Sequence, residues 1–151
     1  MLFRSRYAYF ITCTDVVKDA NGEITEIHCT YDPASRGGNS PDGRKVKATL
    51  HWVSASENVK AEVRLYDRLF NVEDPSGDKD KDFREFLNPV SLQVLPTCYI
   101  EPFVKNSKPL DHFQFERMGY FSIDKESTSG NLIFNRTVSL KDNWAKAQEN
   151  K

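Results

Sequence analysis

Strict alternation between apolar and polar side chains over residues 46–52 and 59–65 constrains the fold of this chain more than any other feature. In both segments every second residue is apolar, and the residues between are Lys, Arg, Glu, Thr or His. Successive side chains of a β-strand point to opposite faces of a sheet, so this period predicts two strands with one solvated face each. A solvated face favours an antiparallel sheet, because parallel sheets are usually covered on both faces.

Strand and turn signals continue along the rest of the chain. Residues 4–15 and 24–31 are predicted as the arms of a hairpin across the turn at 19–22, and residues 113–123 and 132–140 as a last hairpin. We also expect short strands at 69–72, 92–95 and 98–104, a loop at 32–44 and helical turns at 82–87. Many short strands joined by turns predict an all-β fold of antiparallel barrels with short helical turns.

Composition and residue spacing argue against several kinds of site. The net charge of −1 argues against binding nucleic acid by bulk positive charge, although a local basic pocket is compatible with it. The three cysteines are odd in number, and none of them form a Cys-x-x-Cys pair; they are Cys13, Cys29 and Cys98. Neither a disulfide framework nor a zinc site is therefore expected. Neither a phosphate-binding Gly-rich loop nor a nucleophile elbow occurs in the sequence. No apolar run approaches the ~20 residues of a membrane span, and we expect a cytoplasmic protein without a membrane partner.

Several short sequence motifs, in this order along the chain, resemble those of a known family. They are residues 29–32 (CTYD), 42–47 (DGRKVK), 51–54 (HWVS), 64–70 (RLYDRLF), 113–121 (FQFERMGYF) and 134–146 (FNRTVSLKDNWAK). Together they resemble the C-terminal anticodon-binding region of glutaminyl-tRNA synthetases, and the likeness covers nearly the whole chain. The resemblance implies two ribosomal-protein-like barrels, one of which is inserted within the chain path of the other.

The resemblance also implies a division of the chain and a function. Residues 1–98 would form the distal barrel and residues 99–146 the closing strands of the proximal barrel, with residues 147–151 as a tail. The first strands of the proximal barrel would lie before Met1, so we expect a fragment of a longer parent. The implied partners are the anticodon loop of a glutamine tRNA and the catalytic domain of the same parent chain; no DNA is expected.

Catalysis would belong to that parent, which would attach glutamine to its tRNA using ATP with magnesium. The His-Ile-Gly-His-like and Lys-Met-Ser-Lys-Ser-like motifs of its catalytic domain do not occur in this sequence. We therefore expect the chain alone to be inactive, with no catalytic residue, metal ligand or cofactor of its own.

Three residues align with family positions at the first two anticodon bases. Arg4 and Arg6 match a basic pair at the first base and its phosphate, and their spacing on a strand suits two guanidinium groups gripping one nucleotide. Gln114 matches a glutamine at the middle base. An amide both donates and accepts hydrogen bonds, so it can match a uracil edge.

Two further cations align with anticodon-proximal positions. The resemblance implies that Arg117 lies at the third base or a phosphate. Strict alternation places it on the face of the strand opposite to Gln114, so we expect a bulge near residues 118–119. Lys141 stands where the family commonly has arginine. Lysine keeps the charge and loses the bidentate geometry that base reading would use.

Three other functions stay open from the sequence. A glutamyl-tRNA synthetase of the archaeal or eukaryotic type shares this barrel architecture, although the density of matched motifs favours a glutaminyl-tRNA synthetase. A ribosomal-protein-like barrel binding rRNA would be expected to carry more positive charge than this chain does. A barrel that binds only proteins would leave the aligned residues without a role.

Overall fold

The computed structural model describes residues 2–38, 42–46 and 48–140. The chain divides into two compact units, with the boundary between Val53 and Ser54, and each unit contains one sheet. The described residues are nearly all strands and short 3-10 turns, which confirms the all-β prediction with short helical turns. Most strand pairings are antiparallel, as the solvated faces predicted, but two described pairings are parallel.

The first unit is a four-stranded sheet in the order β3-β2-β1-β4. Its strands are β1 Leu2–Ser5, β2 Phe10–Lys18, β3 Ile24–Asp32 and β4 Thr49–Leu50. β2 and β3 form the predicted hairpin, but its first arm, expected at residues 4–15, is divided between β1 and β2. The Asp19 carboxylate accepts hydrogen bonds from the backbone N–H groups of Asn21 and Glu23 in the hairpin turn. β1 lies antiparallel to β2 and parallel to β4.

A buried phenylalanine and a buried serine lie at one end of this sheet. The Phe10 side chain is 1% exposed, and its backbone N–H donates a 2.8 Å hydrogen bond to Ser35 Oγ. Ser35 belongs to the irregular 3-10 segment Pro33–Gly38, and its hydroxyl donates to the Asp32 carbonyl oxygen at 2.7 Å. The segment is thereby tied to the start of β2, because the hydrogen bond to Phe10 is buried and the one to Asp32 is partly buried.

The second unit is a five-stranded sheet in the order β6-β5-β9-β8-β7. Its strands are β5 Val59–Tyr66, β6 Leu92–Ile100, β7 His112–Phe115, β8 Gly119–Ile123 and β9 Leu132–Val138. The central strand β9 runs parallel to β5 and antiparallel to β8. The 3-10 turn Phe83–Phe86 confirms the helical turn expected at 82–87, and a second one follows β6 at Pro102–Asn106.

Aromatic rings from three strands form the core of the second unit. Phe134 on β9 is fully buried, and its ring centroid lies 5.9 Å from that of Phe113 and 5.4 Å from that of Phe115, both on β7. Phe121 on β8 completes the group at 4.9 Å from Phe115. Truncation of a buried phenylalanine to alanine costs about 3–5 kcal/mol of unfolding free energy, so this cluster fixes the position of β7 on the sheet.

Several strand predictions were wrong at their boundaries. Residues 92–95 and 98–104 were expected as separate strands, but one continuous strand, β6, ends at Ile100. Pro96 lies where the register between β5 and β6 shifts, on an edge strand, and a bulged edge is where a sheet tolerates proline. Residues 69–72 contribute only the isolated bridge between Phe70 and Leu87, and only Thr49–Leu50 of the segment 46–52 is described as a strand.

The segment 113–123 is a tight hairpin and not the single strand that was predicted. Phe115 pairs with Gly119, and the Met118 N–H donates to the Phe115 carbonyl oxygen at 2.9 Å across the three-residue turn between them. Arg117 takes a left-handed backbone conformation in this turn, with φ +65°. The sequence offered no glycine at that position, so the usual turn signal was missing.

The expected boundary between the two barrels, at residues 98 and 99, falls inside β6. There Cys98 is the ladder partner of Ala61 on β5, and the separation into compact units lies instead at residue 53. The assignment of residues 1–98 and 99–146 to a distal and a proximal barrel stays a prediction. The expected tail at 147–151 lies outside the described residues.

Gly119→Ala should destabilise the second unit by about 1–3 kcal/mol, the usual cost of one strained backbone position. Gly119 has φ +139°, and a Cβ atom there would lie 2.5 Å from the Val138 carbonyl oxygen. Gly130→Ala is the matched control, because no heavy atom lies within 4 Å of its Cβ position. Urea unfolding of the three proteins measures the difference, and equal midpoints would contradict this backbone geometry at the β7–β8 hairpin.

Candidate nucleic-acid interface

The outward face of the β7–β8 hairpin presents an amide beside an aromatic ring. Phe113 and Phe115 pack into the core, so Gln114 between them points to the opposite face, and it is exposed. Its direct cross-strand partner is Tyr120, whose side chain is 44% exposed. Directly opposite residues of an antiparallel pair share one face, with Cβ atoms about 4.5–5.5 Å apart. A hydrogen-bonding amide and a stacking surface therefore lie side by side on an edge hairpin.

Arg117 lies at the exposed tip of the same hairpin. The bulge expected near residues 118–119 is replaced by the turn itself, and the nearby irregularity occurs one step later, between Tyr120 and Phe121 against β9. The turn removes the conflict with strict alternation, because Arg117 does not belong to a strand. Gln114 and Arg117 thus lie on one hairpin because of the tight turn at 116–118, and not because of the expected bulge.

Arg4 on β1 lies against the buried ring of Phe10. Its guanidinium carbon is 5.3 Å from the ring centroid, and a Cβ atom at Gly38 would come within 2.9 Å of Arg4 Cδ. The Arg4 side chain is therefore packed closely and half-buried. Its Nε atom is buried and has no hydrogen-bond partner in the described part of the chain. A buried N–H without an acceptor is costly, and an anionic ligand would supply one.

A second arginine at the same ring is neutralised within the protein. The Arg44 guanidinium carbon lies 5.8 Å from the Phe10 centroid, and Arg44 forms ion pairs with Asp32 and, at 2.6 Å, with Asp42. The Arg44 hydrogen bond, followed by that of the Ala34 N–H, holds the pKa of Asp32 below its ordinary value. Both carboxylates raise the pKa of Arg44. Of the two guanidinium groups at Phe10, Arg4 is the one without such carboxylate partners among the described residues.

Arg6 follows β1 and continues its pairing with β4. Its N–H donates to the Leu50 carbonyl oxygen at 3.0 Å, and its own carbonyl oxygen accepts a 2.9 Å hydrogen bond from Trp52 Nε1. The guanidinium carbon lies 4.8 Å from the centroid of the exposed Tyr7 ring, and Nη2 donates to the Tyr7 hydroxyl at 3.2 Å. The backbone at Arg6 is thereby anchored, while its side chain lies along another aromatic surface.

The predicted site residues thus form two groups. Arg4 and Arg6 belong to the first unit, and Gln114 and Arg117 to one hairpin of the second. Lys141 lies outside the described residues. Sequence reasoning missed Tyr120, because its pairing with Gln114 becomes visible only once the turn at 116–118 is recognised.

No group of three or more His, Cys, Asp or Glu side chains within residues 2–38, 42–46 and 48–140 could hold a metal ion. The helical turns in these ranges are all too short and polar to cross a membrane.

Comparison with known proteins identifies the family. The profile of the family described as tRNA synthetases class I (E and Q), anti-codon binding domain, matches residues 49–124, which is just over half of the chain. The chain belongs to this family. The matched range of the anticodon-binding domain runs from β4 to the end of β8 and includes both Gln114 and Arg117.

Curated relatives agree with this assignment and confirm the resemblance that the short motifs indicated. The chain is 54% identical over 143 residues to a glutamine–tRNA ligase of Nitrobacter winogradskyi and 52% identical over 143 residues to one of Bradyrhizobium diazoefficiens. Each alignment covers 95% of this chain and 25% of the relative. A glutamine–tRNA ligase of Clostridium kluyveri is 48% identical over 149 residues, covering 98% of this chain and 26% of that protein. The anticodon-binding chain thus spans about a quarter of the length of these relatives.

Arg44→Ala should raise the pKa of Asp32 towards its ordinary value, because the first cause of its depression is the Arg44 hydrogen bond. A carboxylate with a lowered pKa in the folded state stabilises the fold above its unfolded pKa of about 3.8, and this contribution is lost as pH falls through the folded value. A carboxyl-carbon NMR titration of both proteins tests this. Asp82 is the control: its pKa is lowered by Arg84 and should not change. An unchanged Asp32 titration would contradict the pairing.

Proposed function

We propose that this chain is the anticodon-binding part of a glutamine–tRNA ligase and recognises the anticodon of a glutamine tRNA. The full-length enzyme would use ATP with magnesium to attach glutamine, and its catalytic domain would be the partner of this chain. The names of the relatives favour glutamine over glutamate as the cognate amino acid. The net charge of −1 disfavours the alternative of a general rRNA-binding barrel.

The observation that carries the proposal is the exposed Gln114 beside Tyr120 within the matched family range. Sequence-specific RNA recognition generally targets unstacked bases, which are stacked on aromatic rings and hydrogen-bonded along their edges. The Gln114 amide offers one acceptor and two donor hydrogens, which suits the middle uracil that the family resemblance implies. In this arrangement the Tyr120 ring would support the base whose edge Gln114 reads.

The arginines would act mainly on the phosphates and flanking bases. The Arg4 Nε, which has no acceptor within the described residues, supports a role for Arg4 in binding an anion at the first anticodon nucleotide. Arg6 would stack beside the same nucleotide with Tyr7, and Arg117 would reach the third base or a phosphate from the hairpin tip. Lys141 would add charge near the anticodon without bidentate base reading.

Gln114→Ala should cost about 1–3 kcal/mol of discrimination between the cognate middle base and its variants, by analogy with bidentate base readout. The change removes no charge, so the salt dependence of tRNA binding should stay the same. The measurement compares glutamine tRNA with middle-base variants by filter binding, or by relative kcat/KM in the full-length enzyme.

Gln93→Ala is the matched control for this experiment, because it removes an exposed amide from the opposite edge strand, β6. It should leave discrimination unchanged. If Gln114→Ala weakens the binding of cognate and variant tRNAs equally, Gln114 does not read the middle base.

Arg4→Gln should weaken the binding of every tRNA and reduce the salt slope by about one phosphate contact. Arg84→Gln removes the same charge from a residue whose guanidinium is paired with Asp82, so its salt slope should match that of the parent chain. Titrations of both variants at several salt concentrations give the slopes. Identical slopes for the two variants would contradict a phosphate contact by Arg4.

A further inference from the structure

Two cysteines on neighbouring strands are direct partners in the first sheet. Cys13 on β2 lies opposite Cys29 on β3, and the ladder irregularity begins only after this pair, between Cys13 and Asp15. Directly opposite residues of an antiparallel pair have Cα atoms about 4.5–5.5 Å apart and side chains on the same face. A disulfide bridges Cα atoms about 4.4–6.8 Å apart, so the backbone already satisfies its main distance requirement.

Both thiols are free, and solvent can reach them. Cys29 is exposed, and Cys13 is half-buried. The Cys13 thiol donates a weak hydrogen bond to the Asp15 carbonyl oxygen at 3.7 Å. A disulfide with Cys29 would require this weak contact to be given up. Cys98, on β6 of the other unit, is half-buried, and desolvation raises its pKa. A raised pKa lowers the thiolate fraction, so Cys98 should be the slowest of the three thiols to react.

We propose that Cys13 and Cys29 form a redox-sensitive pair that closes to a reversible disulfide on reaction with a peroxide. The exposed Cys29 thiolate attacks one peroxide oxygen, the O–O bond breaks, and Cys29 becomes a sulfenic acid while the other oxygen leaves as hydroxide and is protonated to water. The Cys13 sulfur then attacks the Cys29 sulfur and displaces the sulfenic oxygen as a second water. Two thiols are oxidised by two electrons in total, and one hydrogen peroxide is reduced to two waters.

The disulfide would join β2 to β3 and close the loop of residues 14–28. These strands belong to the sheet whose next strand, β1, carries Arg4. An added thiol would reopen the bridge by thiol–disulfide exchange, so the change is a switch and not permanent damage.

The experiment treats the folded chain with hydrogen peroxide, alkylates the remaining thiols with iodoacetamide and maps the tryptic peptides by mass spectrometry. Cleavage after Arg6, Lys18 and Arg36 places Cys13 and Cys29 on separate peptides. The expected product is these two peptides linked, with two hydrogens fewer than their sum, and with Cys98 alkylated. Dithiothreitol before alkylation should remove the link.

Two variants separate the pair from general thiol oxidation. Cys98→Ser should form the link at the rate of the parent chain, and Cys13→Ser should stop at a Cys29 sulfenic acid that dimedone traps. A link that requires Cys98, a link between two chains, or full alkylation of Cys13 and Cys29 after peroxide treatment would each overturn the proposal. The parent-chain peptide map, made on the monomer band of a non-reducing gel, decides the question even where a variant fails to fold.

Discussion

The position of β9 between β5 and β8 is the constraint on which the second unit depends. β9 carries Phe134 into a cluster with Phe113 and Phe115 of the edge strand β7, so the core holds β7 through its aromatic side chains as well as through its ladder. Because side chains alternate along a strand, burial of these two phenylalanines forces Gln114 outward. The packing of the core thereby determines which polar group the hairpin presents, and a one-residue slip of β7 would bury the amide and expose the rings.

In the first unit, charge pairing distinguishes the two arginines that lie at Phe10. Two guanidinium groups approach the ring of Phe10, and among the described residues only one of them is satisfied by carboxylates, those of Asp32 and Asp42 around Arg44. Arg4 has no such partner in that part of the chain and is held in place by packing against Phe10 and Gly38. A chain with a net charge of −1 can therefore still carry a localised cation that packing holds in place.

The sequence predicted those features that depend on local period, and it failed where the structure depends on pairing between distant strands. Alternation over residues 59–65 corresponds closely to β5, but the antiparallel pairing that its solvated face favoured was wrong for β5 and β9, which run parallel. The tight hairpin at 116–118 was missed because Arg117, and not glycine, takes the left-handed position. The separation expected between strands 92–95 and 98–104 was wrong, because an edge strand with a bulge accommodates Pro96. Gln114 was found through resemblance, whereas its partner Tyr120 required the hairpin register.

The central claim is that the outward face of the β7–β8 hairpin contacts the middle anticodon base. Photo-crosslinking tests it most directly, with an anticodon stem-loop of glutamine tRNA that carries 4-thiouridine at the middle position. If the hairpin face contacts that base, the crosslinked peptide contains residues of the hairpin 112–123, with Tyr120 or Gln114 as the attached residue, and unlabelled cognate stem-loop competes for it. Crosslinking confined to β5, β6 or the β2–β3 hairpin would show that the base is bound elsewhere.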